Sequence, residues 1–391
     1  MTTDDEPDDL GPSICPQFEP RFLNLEREVR PAVASVEAAR EFLKKHGVLH
    51  GNRRCDGCHR PMHETPSRTR DGVKWRCYTR SCGSREASIR AGTILERFRF
   101  SLQHAVELLT FWSYSTPPIH CIHFLRLDKK TVHRFYRLLR VIVSSYMTRA
   151  GRMVIGGPGM IVEVDETLLA RRKYNRGRIL GPVDEATQAR SQCWVIGGVE
   201  RSVAGRRKAL DRAGRSAAGR GKAFIAMVPR RDGPTLLAAI QQHIAPGTRV
   251  LTDQWRGYSR LREHDYGHAT VNHSIEFVSS EDPQVHTQSI ENLWKHLKDR
   301  VRLYGTMRVQ ATLHHRCNEF LFFRQFSRGS MALEMLLDAV EEFYVDEEMQ
   351  ADLAEAGNDG LEDGEDDEEW ELCSGPGDLR DGWMVDGTGR E

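Results

Sequence analysis

The segment MIVEVDETLL, residues 160–169, sets the fold class. Val162 and Val164 fall on one side of an extended chain and Glu163 and Asp165 on the other, the period-two alternation of a strand with one buried face. Outward from it, QCWVIGGVE (192–200) and AFIAMVP (223–229) read as a second and a third strand, and TLLAAIQQHI (235–244) as a helix that Pro246-Gly247 breaks. RVLTD (249–253) is a short buried strand. SIENLWKHLKDRVRLYG (289–305) carries Ile290, Leu293, Leu297 and Val301 at amphipathic helical spacing, and further helices follow to about Tyr344. Three strands, a helix, a fourth strand and then helices make an α/β segment. Between strands two and three, the Arg/Gly/Ala-rich run 201–222 reads as a flexible basic loop.

Three acids in this segment stand where chemistry is done. A strand face bearing Glu163 and Asp165 suits a metal, and Asp253 ends its strand at the carboxyl edge, where α/β sheets place ligands. Glu291 lies beside the apolar seam of its helix, so its carboxylate is expected to lean towards the sheet. A single acid at a strand end is more often a turn former or a cap. Three in strand, strand and helix order, within the most basic part of the chain, point instead to phosphodiester chemistry on two divalent ions about 3.5–4 Å apart. Arg171, Arg172, Lys173, Arg176 and Arg178, with Lys295 and Lys298, are placed to neutralise phosphates. Glu163 is expected to lie too far along the strand to reach the ions and Glu166 to point away. Trp194, Trp255 and Trp294 read mainly as core, whereas Tyr174 could stack on a base.

The N-terminal part carries a different signal. Cys55, Cys58, Cys77 and Cys82 form C-x2-C-x18-C-x4-C, two knuckles that bring four thiolates into the closed tetrahedron of a structural zinc. His59 and His63 are substitute ligands only. Nine cysteines in all, an odd number with only these four clustered, argue against a disulfide framework and for a reducing compartment. A helix capped by Ser35 and stopped at Gly47 precedes the ribbon. SLQHAVELLTFWSYS (101–115) reads as a helix ended by Pro117-Pro118. A short helix, a turn near 127–129 and a longer helix follow, with Lys129, Lys130, His133, Arg134 and Arg137 on its exposed side. That is a helix-turn-helix pattern, a DNA reader or plain scaffolding.

The charge of the chain agrees. Over 391 residues 56 bases balance 56 acids, yet the last 46 residues hold 18 acids against 2 bases and the first nine hold five acids. The body between therefore has 54 bases to 33 acids, the pattern of a fold that meets a polyanion or of an Arg-rich solvated surface. Apolar residues are 39% and mean hydropathy is −0.54, too low for a wholly globular chain. The acidic start is unlike a secretory signal, and no apolar run is long enough to span a membrane, so the expectation is an intracellular protein, nuclear if eukaryotic and otherwise cytoplasmic.

At VEVDETLLARRKYNRGR (162–178), VIGGVER (195–201), VLTDQWRGY (250–258), VNHSIEFV (271–278) and HTQSIENLWKHLK (286–298) the sequence resembles the DDE-type transposases of ISXO-type insertion sequences and their eukaryotic relatives, the Merlin elements. The zinc ribbon running into SIRAGTILERFRFSL (88–102) resembles the N-terminal module of that family. The resemblance implies an RNase H-like fold whose metal-binding acids are Asp165, Asp253 and Glu291, with Lys298 as the associated base and Mg²⁺ or Mn²⁺ as the ions. Some relatives differ at the third acid, and Asn292 stands beside Glu291.

The combined reading is an acidic tail (1–22), a zinc ribbon with its preceding helix (35–100), a helix-turn-helix-like segment (101–150), an RNase H-like mixed sheet flanked by helices (155–344), and a second acidic tail (345–391). Its expected function is transposition: strand cleavage and transfer at terminal inverted repeats of double-stranded DNA, by a homo-oligomer in the synaptic complex. The rivals are a host-recruited DNA-binding or chromatin protein without the chemistry, and a nuclease or resolvase that cuts without joining.

Overall fold

A computed structural model describes residues 23, 25–149, 151–170, 193–201, 222–271, 287–302 and 310–345. The expected tails, most of the basic loop and the 171–178 basic cluster lie outside the described residues.

A single turn, α1 (Arg30–Ala32), leads into α2 (Val36–Lys45). Ser35 caps α2 by accepting from the Ala38 N–H at 3.0 Å, satisfying one of the donors that a helix start leaves open. The ribbon is a three-stranded antiparallel sheet of β1 (His63–Pro66), β2 (Val73–Arg76) and β3 (Glu86–Ser88). Met62, Trp75, Ile89, Cys55 and Cys77 make a small core of its own. The buried Arg90 guanidinium ties the ribbon to the 98–100 segment, donating to both Asp71 carboxylate oxygens (2.8 and 2.6 Å) and to the Phe98 and Phe100 carbonyls.

Helices α3 (Leu102–Ser113), α4 (Pro118–Leu125) and α5 (Lys129–Thr148) occupy the expected places. Ser101 caps α3 and Asp128 caps α5. The turn between α4 and α5 passes through Arg126 in the left-handed conformation (φ 53°). From Leu139 to Met147 every residue of α5 is buried. This half of the helix packs on α8 (Gln310–Phe326) and α9 (Ser330–Val345), and one continuous apolar core runs from Leu23 to Phe343.

The central sheet has five strands in the order β10-β9-β5-β6-β7. β5 (Ile161–Ala170), β6 (Cys193–Glu200) and β7 (Ala223–Val228) form an antiparallel meander, and β4 (Ile155–Gly156) pairs with β8 (Ile244–Ala245) in a separate two-stranded piece. After β7 the chain crosses through α6 (Gly233–His243) to β9 (Arg249–Asp253), which lies parallel to β5 with Glu163 opposite Leu251. β10 (Gly267–Val271) then adds in parallel to β9. Its sequence GHATV is short and only weakly apolar, and β9 templates it through backbone hydrogen bonds, the packing of Val271 and Ala269 with Leu251 and Ile161, and the 2.9 Å contact of His268 Nε2 with the Thr252 hydroxyl. On one face Phe224 stacks on His243 of α6, and on the other α7 (Gln288–Arg302) packs across β5 and β6. The protein is thus mixed α/β with helices on both faces of a mixed sheet. Among the described residues no helix is long and apolar enough to cross a membrane.

Candidate metal centres

The four predicted cysteines converge. One sulfur of each lies within 4.8 Å of all the others, with Cys55 and Cys82 Sγ 3.2 Å apart and Cys58 and Cys77 Sγ 3.5 Å apart. The first knuckle closes through the Cys55 N–H on the Arg60 carbonyl and the His59 N–H on the Cys55 carbonyl. Gly57 and Cys58 backbone donors and the neighbouring thiols draw the Cys55 thiol down to about 6. The Arg60 backbone lowers Cys58 as well. Cys82 goes the other way, to about 12, chiefly because Cys55 beside it takes the negative charge first. Four thiols this close cannot all ionise unless a cation compensates them, and a tetrahedral zinc with sulfurs about 2.3 Å away fits the donor set. His59 and His63 are outside the group.

The second centre lies where β9 ends beside the middle of β5. Their parallel register sets Asp165 and Asp253 level, two residues beyond the Glu163 and Leu251 pair. One carboxylate oxygen each from Asp165, Glu166 and Asp253 lies within 4.8 Å of the other two, close enough to share a divalent cation. Asp253 Oδ1 also accepts the Trp255 N–H at 3.0 Å, which fixes the turn after the strand.

The surroundings hold these acids in place. Trp294 on α7 donates its indole N–H to Asp165 Oδ2 at 3.0 Å. Gly197, which pairs with Asp165 across β5 and β6, makes room for that indole: a Cβ there would meet Trp294 at 2.6 Å. Glu163 is fully buried on the same face. Its Oε2 accepts the Ser289 and Ile290 backbone N–H groups (2.7 and 3.1 Å) at the start of α7, and its Oε1 receives the Ser289 hydroxyl (3.0 Å) and Arg201 Nε (2.6 Å). Glu163 therefore pins the helix that carries Trp294.

Glu166 is buried too. Arg231 approaches both of its oxygens at 3.5 Å, yet Oε1 has no hydrogen-bond partner. Burial raises the Glu166 carboxyl above its ordinary range; Arg231 opposes that shift, and Asp165 and Asp253 add to it. The Tyr258 hydroxyl is buried beside the same carboxylates and pushed well up, by burial first and then by their charge. An orphaned buried oxygen next to two further carboxylates is a donor set that a divalent cation satisfies.

Residues 156–324 match the model of the ISXO2-like transposase domain. This segment is similar to the transposase domain of that family. A stretch of 84 residues is also 29% identical to a protein of Haemophilus influenzae described as an uncharacterized transposase-like protein. That stretch is 22% of this chain and 66% of the Haemophilus protein, just under two thirds of its length. The acidic centre lies inside the matched segment and the cysteine centre outside it.

Of the acids expected at the centre, Asp165 and Asp253 meet. Glu291 sits in the first turn of α7, exposed, with the Thr287 hydroxyl 3.5 Å from its Oε1, and it is outside the group of three. Lys298 is half-buried two turns further along α7. Lys129, Lys130 and Arg134 are exposed on the first turns of α5, Arg134 with its guanidinium 5.8 Å from the Phe98 ring. Arg171, Arg172, Lys173, Arg176 and Arg178 lie outside the described residues.

Alternation alone turns Glu166 away from Asp165. Beside the end of β9 its side chain nonetheless joins Asp165 and Asp253, and the positive partner that makes this tolerable, Arg231, comes from the loop after β7. Trp294 looked like plain core, and no feature of the sequence announces its bond to Asp165. The one sequence signal for that pairing was the Gly197-Gly198 pair in the middle of a strand, since glycine there marks a close approach.

Proposed function

We propose that this chain is a DNA transposase that cleaves element ends at the Asp165–Asp253 centre and joins them to target DNA. The observation that carries the reading is the convergence of Asp165, Glu166 and Asp253 where β9 ends beside the middle of its parallel neighbour β5, within the segment that matches the transposase family. The sheet order, an antiparallel meander with two parallel strands added beside β5, supports an RNase H-like architecture.

In this reading Asp165 and Asp253 hold the ions and Glu166 adds the third oxygen, with its burial offset by Arg231. Divalent ions bound there supply activation of the attacking oxygen and neutralisation of the leaving one. Trp294 fixes the Asp165 carboxylate in one orientation, and Glu163 fixes the helix that presents Trp294. Glu291, one turn before Trp294, and Lys298, one turn after it, flank the centre on the DNA side. The ribbon and the first turns of α5 recognise the terminal repeats, and two copies of the chain bring the two ends together.

A recruited DNA-binding protein without chemistry draws on one observation, the exposed Glu291 outside the carboxylate group. Cleavage separates the two readings. In Mg²⁺ or Mn²⁺ the full chain should nick DNA carrying its own element ends and join the freed 3′ ends to a target. Asp165→Ala and Asp253→Ala should each abolish both steps while gel-shift binding of the same DNA persists. An Asp165→Ala protein that still cuts, or a wild-type chain that binds ends and never cuts them, favours the recruited protein. Cutting without joining favours a nuclease or resolvase.

A further inference from the structure

Trp255 follows Asp253 by two residues, and two residues of chain span at most about 7 Å. It is 43% exposed, whereas Trp75, Trp112 and Trp294 are buried. A lone exposed apolar side chain is ordinary. This one is braced. The Arg231 guanidinium carbon lies 4.6 Å from its ring centroid and 5.2 Å from that of Trp194, so one cation is shared between two indoles. Gly257 underlies the same ring: a Cβ there would be 2.7 Å from the Trp255 Nε1 and 3.0 Å from Leu236. Arg231 is in turn anchored on Glu166, and the Trp255 N–H on Asp253. The indole is therefore built onto two acids of the metal centre and still leaves part of its surface to solvent. Arg256, next in sequence, is exposed, as is Arg230 beside Arg231.

We propose that Trp255 is a stacking platform for one unpaired nucleobase, that of a nucleotide whose phosphate lies at the Asp165–Asp253 centre. The inference rests on the transposase reading for its polymer and extends it to the state of the DNA: the end is melted at the site, not held as an intact duplex. A phosphate at the acids puts its own base about one nucleotide's reach away, where the braced indole stands. An indole backed by a guanidinium offers a π-face to any base, so the platform is sequence-tolerant. Arg256 is placed to take an adjoining phosphate, while Arg230 is paired with Asp232 at 3.0 Å.

The test uses the full-length protein in Ca²⁺, so that binding is read without chemistry. Two probes are compared at one salt concentration: a blunt duplex, and the same duplex with its last three base pairs mismatched. Stacking of a base is worth about 1–3 kcal/mol, so the wild-type chain should bind the frayed probe roughly 10-fold more tightly, within a span of about 5- to 150-fold. Trp255→Phe should keep most of that ratio, and Trp255→Ala should collapse it to near one. Melting temperatures of both variants check that the loop stays folded. A wild-type ratio near one, or an Ala variant that keeps the wild-type ratio, overturns the platform and leaves the transposase reading standing. Failure of the wild-type chain to bind either probe removes both.

Discussion

Replacing Glu163 by Ala tests whether a carboxylate with no place in the metal centre nevertheless sets its geometry. Among the described residues four hydrogen bonds end on this fully buried side chain: two from the first backbone N–H groups of α7, one from the Ser289 hydroxyl and one from Arg201. Loss of a helix-start acceptor costs about 0.5–2 kcal/mol. Removing one partner of a buried ion pair costs about 3–5 kcal/mol, because the remaining charge stays buried. Arg201 is only 13% exposed, so solvent screens little of that term. Both losses come from one carboxylate and overlap, so the expected destabilisation is about 3–5 kcal/mol, a large part of the roughly 5–15 kcal/mol that holds a domain folded. Glu163→Gln keeps an acceptor for the helix and loses the charge, and should cost about 1–3 kcal/mol. Urea titrations followed by circular dichroism give both values. End cleavage should fall in the same order, since α7 carries Trp294 onto Asp165. Alternation alone makes Glu163 a bystander whose Ala variant keeps most activity; its burial under α7 predicts the opposite. A Glu163→Ala protein destabilised by less than about 1 kcal/mol, or a Gln variant no better than Ala, refutes the clamp.

Gly197→Ala places a methyl 2.6 Å from the Trp294 ring and 2.9 Å from the Phe224 carbonyl, and should lower stability by about 1–3 kcal/mol and reduce cleavage; unchanged melting and activity would contradict the packing. Elemental analysis should find one zinc per chain, and Cys55→Ser or Cys77→Ser should lose the metal and the fold of the ribbon, whose separate core is only a handful of side chains. His315 on α8 is held down to about 4, first by burial and then by His314, Arg140 and Arg137. The unfolded chain therefore binds a proton at His315 that the folded chain refuses, and stability should fall as pH drops from about 6.5 to 4, by up to roughly 3 kcal/mol from this group. His315→Leu should flatten that part of the pH profile, and an unaltered slope would count against it.

Features that depend on neighbours in the chain are legible in the sequence alone. The two cysteine knuckles, the alternation of 160–169 and the cap Ser35 are each specified within a few residues, because turn geometry, strand pleat and helix starts are local. The strand acids Asp165 and Asp253 were legible as candidates for the same reason, as were the four cysteines that cluster. Other features depended on which elements meet. GHATV became a strand because β9 offered it an edge. Trp255 read as core and is exposed because its ring rests on Arg231, which arrives from the far side of the sheet. Glu163, Glu166 and Glu291 show the limit most plainly, since a carboxylate takes its role from the partners that offset its desolvation. Glu163 found the start of α7 and Arg201, and Glu166 found Arg231 and the two aspartates. Glu291, the acid that motif and helix face both favoured, lies at the solvent edge of α7 because Ile290, Leu293, Trp294 and Leu297 occupy the face turned to the core. Burial of a charge is settled by pairing across the tertiary structure, and no spacing along the chain encodes it.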